Sequence, residues 1–296
     1  MTRSSDAEHP FSDAGGKRGR KPGPIAGTAG PSHRAWLEPV RSVLFASGLT
    51  LNDLVDRSGY SKTRISELLR GNGYYPAWEI TFSVIRALGL PVQPMRRLWT
   101  AAAREAQKES SWISQCVRQV APGEPEQPPI PHQAFTDAMR APYTAYARAL
   151  LLTDHRARRA VAETFDILWL CWKDASSSED IRRYAWHLLR SRVMDRVERH
   201  DEGHPDLRAA VFSTQEAHTG PSGRLAVPTD LVDLFDAIGR LPNDQMDIAV
   251  LHHLCGMALE DIPAVIGLSE ALTHAIEHHA RAALEGMVHH PHSPRE

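Results

Sequence analysis

Apolar residues recur at three- and four-residue spacing along most of this chain, the period of a helix with one buried face. The spacing is clear in Trp36/Val40/Val43/Leu44, Ile80/Val84/Leu88 and Leu98/Trp99/Ala102, and again in Phe165/Leu168/Trp169/Trp172 and Leu231/Leu234/Phe235/Ile238/Leu241. No strand-like alternation of useful length competes with it, so the pattern predicts an all-α fold. Where the period fails, the chain divides. Residues 1–32 are polar and aperiodic, which predicts a disordered basic arm. The segment 119–133 contains APGEPEQPPIPHQ, with five prolines, and reads as an extended linker that cannot be helical. A second linker spans 201–229. Three helical blocks remain, 33–118, 134–200 and 230–288, with a tail at 289–296.

Charge sharpens this division. The 296 residues carry 34 Lys and Arg against 36 Asp and Glu, a net −2 that by itself suggests no polyanionic partner. By segment the balance differs. Residues 33–108 hold 11 basic and 6 acidic groups, and the arm before them holds 5 and 3; residues 230–296 hold 3 basic and 11 acidic groups. A basic front and an acidic back cancel in the total.

Several classes fall away. No apolar run approaches the ~18–20 residues of a membrane span, and the first 30 residues lack the apolar core of a secretory signal. The three cysteines, Cys116, Cys171 and Cys255, form no C-x-x-C pair, which argues against disulfides and a thiolate zinc site. A cytoplasmic, nucleoid-associated protein is expected. Phosphate-loop, nucleophile-elbow and H-E-x-x-H signatures are absent, so neither an enzyme nor a cofactor is expected.

The first block carries the sharpest signal. In T-LNDLVDRSGY-SKTRISELLR-G (50–71), Thr50 can cap a short helix and Asp53 can return the bond. Gly59 falls where a tight inter-helix turn needs positive φ. Ser61 can cap a second helix with buried positions Ile65, Leu68 and Leu69. Its outer face carries Lys62, Thr63, Arg64 and Ser66, groups suited to base edges and phosphates. Residues 36–104 resemble the five-helix XRE/Cro-type helix-turn-helix family, in the form found in actinobacterial regulators. GYSKTRIS, Tyr75-Pro76-Ala77-Trp78 and Arg97-Leu98-Trp99 carry the likeness. The resemblance implies binding to double-stranded DNA, as a homodimer on a two-fold site. Lys62, Thr63 and Arg64 would read the major groove, with Ser61 and Ser66 on phosphates. In the arm, Lys17-Arg18-Gly19-Arg20-Lys21 looks like an AT-hook, which would lay Arg18 and Arg20 in a minor groove.

The other blocks resemble a divergent extracytoplasmic-function sigma factor. Residues 234–284 carry region-four features: Leu241-Pro242, Gln245, Gly256-x-x-x-Glu260-Asp261-Ile262, Gly267-Leu268-Ser269 and Ala280-Arg281-Ala282-Ala283-Leu284. Residues 134–200 resemble region two through Val161-x-Glu163-x-Phe165, Tyr184-x-Trp186, Arg190 and Asp195. The resemblance implies two small helical domains contacting promoter DNA and polymerase, with Arg190 and Arg281 as DNA contacts. The sequence departs from that pattern. Its last reading helix shows Glu270, Thr273, His274, Glu277, His278 and His279. Ala258 replaces the Ser cap, Pro263 falls near the fifth position of a helix, and Arg156, Arg158 and Arg159 stand where the family has carboxylates.

Eight histidines follow residue 230, and His274 and His278 have a spacing that can hold a metal ion. They read instead as solvent-facing replacements for basic residues, and no metal site is expected. The tryptophans read as core. The expected function is a DNA-binding transcriptional regulator. Its degenerate sigma-like module would contact RNA polymerase core, another regulatory protein or its own DNA-binding domain. The alternatives are a working sigma factor with an added DNA-binding domain, and a protein-interaction adaptor that binds no DNA.

Overall fold

The computed structural model describes residues 23–120, 126–200, 203–207 and 229–289. Among them every regular element is a helix: α1 (Pro31–Ala46), α2 (Leu51–Ser58), α3 (Lys62–Arg70), α4 (Trp78–Ala87), α5 (Val92–Glu105), α6 (Ser110–Arg118), α7 (Ile130–Leu151), α8 (Asp154–Leu170), α9 (Trp172–Ser176), α10 (Ile181–Met194), α11 (Thr229–Gly239), α12 (Asn243–Ala249), α13 (Ile262–Ile266) and α14 (Glu270–His289). A π turn, Val250–Leu254, continues α12. Among the described residues no helix is long and apolar enough to cross a membrane. The residues suggested as an AT-hook, Arg18 and Arg20, lie outside the described part.

The chain forms two compact units where the periodicity suggested three blocks. One contains the residues up to Gln133 and also Glu163–Ala175; the other contains Ala134–Ala162 and the residues from Ser176 onward. Polar and aromatic contacts explain why 163–175 joins the first unit. Arg97 on α5 forks onto Asp166, with Nε 2.9 Å from Oδ1 and a second nitrogen at 2.5 Å. The same guanidinium lies over the Trp169 ring, 5.6 Å from its centroid. Ser32 donates to the buried Glu163 at 3.0 Å. Burial pushes the Asp166 carboxyl from 3.8 up to about 6, with Arg97 pulling the other way.

Aromatic residues fill the core of the first unit. Trp36, Trp78 and Trp99 are buried, and Trp99 lies 5.5–5.8 Å from Trp78, Tyr75 and Trp112. The Tyr75 hydroxyl, inside this cluster, donates to the Trp99 carbonyl at 2.6 Å. Helices whose own caps are weak borrow distant carboxylates. Gly30 offers α1 no side-chain cap, and the Ser32 N–H donates to Glu105 instead. The Val92 and Gln93 N–H groups at the start of α5 donate to Glu126, at 2.6 and 3.1 Å.

Two boundaries move from where the sequence put them. Residues 23–30, expected to belong to a disordered arm, are held against the fold: the Ala26 N–H donates to the Arg70 carbonyl at 2.8 Å and Arg34 donates to the carbonyls of Ala26 and Ala29. Residues 130–133, expected to be non-helical, begin α7. Pro131 occupies its first turn, where proline removes no bond the helix would make.

The second unit is organised on a buried carboxylate. Asp247, 1 % exposed, accepts from the Tyr146 hydroxyl at 2.6 Å, Trp186 Nε1 at 3.0 Å and Arg190 Nε at 2.9 Å. Burial pushes its carboxyl up, while Arg190 and the two neutral donors pull it down. Arg183 and Asp244 form a second link between α10 and α12, at 3.0 Å.

Candidate nucleic-acid interface

α2 and α3 are built by local signals. The Thr50 N–H donates to Asp53 Oδ2 at 2.7 Å and the Asp53 N–H donates to Thr50 Oγ1 at 3.3 Å, a complete capping box. The Thr50 bonds hold the Asp53 carboxyl below the usual carboxylate range. Gly59 ends α2 at φ 75°, a left-handed conformation that costs an L side chain roughly 1–2 kcal/mol. Ser61 starts α3, its Oγ accepting from the Arg64 N–H at 3.5 Å. Gly71, at φ 63°, ends it and donates to the carbonyls of Glu67 and Leu68.

This frame sorts the α3 side chains cleanly. Ile65, Leu68 and Leu69 are buried, whereas Ser61, Lys62, Thr63, Arg64, Glu67 and Arg70 are exposed. Ser66 is half-buried, so it is the least available of the five residues singled out in the sequence. Arg41 and Ala26 hold the C-terminal end of the helix by donating to the Leu69 and Arg70 carbonyls. The N-terminal end of α3 is left open while its C-terminal end is fastened.

Sequence reasoning missed Tyr74. It follows Gly73, whose φ is 81°, and its ring is 96 % exposed although the adjacent Tyr75 is buried. A groove of about 460 Å³ beside α3 is lined by Arg64, Glu67, Asn72, Tyr74 and Glu79 among others. A Gly-flanked loop with paired tyrosines was the available signal, but only burial shows which ring faces out.

The second helix-turn-helix, α13–α14, differs at each of these points. Pro263 is not at the fifth position of a helix, as expected. It lies in the first turn of α13, where it is tolerated, and the helix is only five residues long. Gly267, at φ 70°, makes the turn, but a Cβ there would stand 2.3 Å from the Arg183 backbone nitrogen; at Gly59 no heavy atom lies within 4 Å of that position. The first turn is open and the second is covered by α10. On α14, Thr273 and Glu277 are buried, which corrects their assignment to the reading face. Glu270, His274, His278, His279 and Arg281 are exposed. Arg281 donates to Glu277 Oε1 at 2.5 Å, so its charge is countered.

Arg190, a candidate DNA contact, is placed otherwise. Its side chain is 17 % exposed and held by Asp247, with Asn243 accepting a further bond at 2.8 Å. A guanidinium committed inward to a buried carboxylate has little to offer a phosphate. Arg156 donates to the Arg196 carbonyl at 2.6 Å, and Arg158 pairs with Asp154 at 3.2 Å. Compared with known proteins, the chain matches no family model, no curated protein and no solved structure.

Proposed function

We propose that this chain is a DNA-binding transcription regulator whose α3 enters the major groove of duplex DNA. Lys62, Thr63 and Arg64 would contact base edges, with Ser61 and Ser66 on the flanking phosphates. The observation that carries the reading is the arrangement at the start of α3. Three basic or hydroxyl side chains stand exposed at its N-terminal end, after an uncovered turn, on a helix whose opposite face, Ile65, Leu68 and Leu69, is buried. Residues 23–29 run back to the far end of α3, which suits an arm reaching an adjacent groove.

In this reading residues 134–287 serve as a folded scaffold for a protein contact, to RNA polymerase core or another regulator, and do not select promoters. The covered α13–α14 turn and the inward commitment of Arg190 favour that role. Two assays test the pair of statements. The full chain should select a discrete motif from a pool of random duplexes, and core polymerase with the chain should start no promoter-specific transcript. Failure to enrich any duplex would leave a protein adaptor, and specific initiation would restore a working sigma factor.

A further inference from the structure

Residues 198–200 and 203–207 lie antiparallel as the two arms of a short hairpin in the second unit. Arg199 and Pro205 pair across it, the His200 N–H donates to the His204 carbonyl at 3.0 Å, and the Asp206 N–H donates to the Glu198 carbonyl at 2.8 Å. These bonds bring the rings of His200 and His204 into a stack, with centroids 4.6 Å apart. The hairpin rests on α11 at Gly239, where a Cβ would stand 2.5 Å from the Pro205 carbonyl oxygen. One turn earlier on the same helix is Asp236. Absence of a side chain at 239 therefore allows both imidazoles to reach that carboxylate.

The geometry points to a binding site for a divalent transition-metal ion, zinc by its donor set, formed by His200, His204 and Asp236, with the fourth position left to water. The three ligand atoms lie within 4.8 Å of one another. His200 Nε2 is 3.2 Å from Asp236 Oδ1 and 3.5 Å from Asp206 Oδ1, and His204 Nε2 is 3.4 Å from Asp236 Oδ1. Zinc bonds of ~2.0–2.1 Å at tetrahedral angles set neighbouring donor atoms about 3.3 Å apart, in accord with these separations. A hydrogen-bonded His–Asp cluster would use the same atoms differently. The buried His200 Nε2 makes no hydrogen bond in spite of its two carboxylate neighbours, as expected of a nitrogen aimed at a point between donors rather than at one of them. Arg240 pairs with the outer oxygen, Asp236 Oδ2, at 2.9 Å, which fixes the carboxylate and leaves Oδ1 facing the histidines. The donors are two nitrogens and one carboxylate oxygen without a thiolate, a three-ligand set with an open position that suits zinc.

Such an ion would staple the hairpin to α11 and stabilise the second unit by mass action. The test uses the full chain, stripped with a chelator and titrated with Zn²⁺ against a chromophoric competitor, then with Co²⁺ as a spectroscopic probe. One equivalent of zinc, a tetrahedral cobalt spectrum and a rise in Tm with added zinc are expected. His204→Ala and Asp236→Asn should each weaken zinc binding at least tenfold, while a His274→Ala/His278→Ala double variant should bind as the parent does. Zinc protection of His200 and His204 from chemical modification in the unaltered chain locates the site even if a variant fails to fold. Absence of stoichiometric binding, protection of other histidines only, or loss of binding in the His274/His278 variant would overturn the proposal.

Discussion

The two helix-turn-helices of this chain share a plan and differ in what surrounds it. In the first, α2 and α3 run eight and nine residues, the glycine turn is uncovered, and the start of the second helix presents Lys62, Thr63 and Arg64. In the second, α13 is cut to five residues, the glycine turn presses on the Arg183 backbone, and α14 presents Glu270 and histidines, with its arginine paired to Glu277. The difference teaches that helix-turn-helix geometry is only a scaffold. Reading DNA also requires an approachable turn and a face whose charge attracts phosphates. One motif keeps both requirements, and the other has its turn absorbed into the packing of its own unit.

The largest effect should come from the carboxylate behind the second motif. Asp247→Ala leaves Arg190 facing a pocket without its partner, and breaking a buried pair of this kind costs about 3–5 kcal/mol. Urea unfolding should show that loss in the second unit, with DNA affinity of the folded chain changed less than about twofold. A comparable fall in DNA affinity would break the comparison.

The turn glycines sharpen it next. Gly267→Ala meets both positive φ and backbone, so it should destabilise by more than about 2 kcal/mol; Gly59→Ala meets only the φ term, roughly 1–2 kcal/mol. Equal melting temperatures for the two variants would mean that the second turn is no more covered than the first.

The Asp166 carboxyl supplies a pH test of the first unit. Its folded value, about 6, lies above the ordinary 3.8, so the folded state keeps a proton that the unfolded state has lost in between. That contribution to stability is present below about pH 4 and is lost as pH rises through 6. Relative to Asp166→Asn, the parent should lose on the order of 1–3 kcal/mol between pH 4 and 7. A constant difference across that range contradicts the assignment. Smallest of all, Lys62→Ala should lower the slope of log affinity against log salt by about 1 and relax motif preference only at the base it contacts.

How much of this could be read from the sequence depends on how local each determinant is. The capping box at Thr50, the Gly59 turn and the α3 face are set by residues within about ten positions of each other, and each was legible. The position of Pro263 within its helix is not legible in the sequence, because it depends on where α13 starts, which packing decides. The same holds for Pro131 and α7. The Arg97–Asp166 and Arg190–Asp247 pairs join residues 69 and 57 positions apart, and no periodicity announces such partners. Arg190 therefore reads as a DNA contact in sequence, since an arginine in a helix looks alike whether it faces a phosphate or a buried aspartate. Sequence does not single out His200 and His204 for a related reason: their partner Asp236 follows 32 residues after His204, whereas His274 and His278 have a helical spacing visible in the sequence itself.

The central claim is that α3 reads DNA and α14 does not. Its most direct test is fluorescence anisotropy of the full chain on the duplex it selects, comparing Arg64→Ala with Arg281→Ala at one salt concentration. Arg64→Ala should weaken binding by roughly 1–3 kcal/mol and relax preference at one base position, and Arg281→Ala should change affinity less than about twofold. A large loss for Arg281→Ala with Arg64→Ala silent would contradict the account.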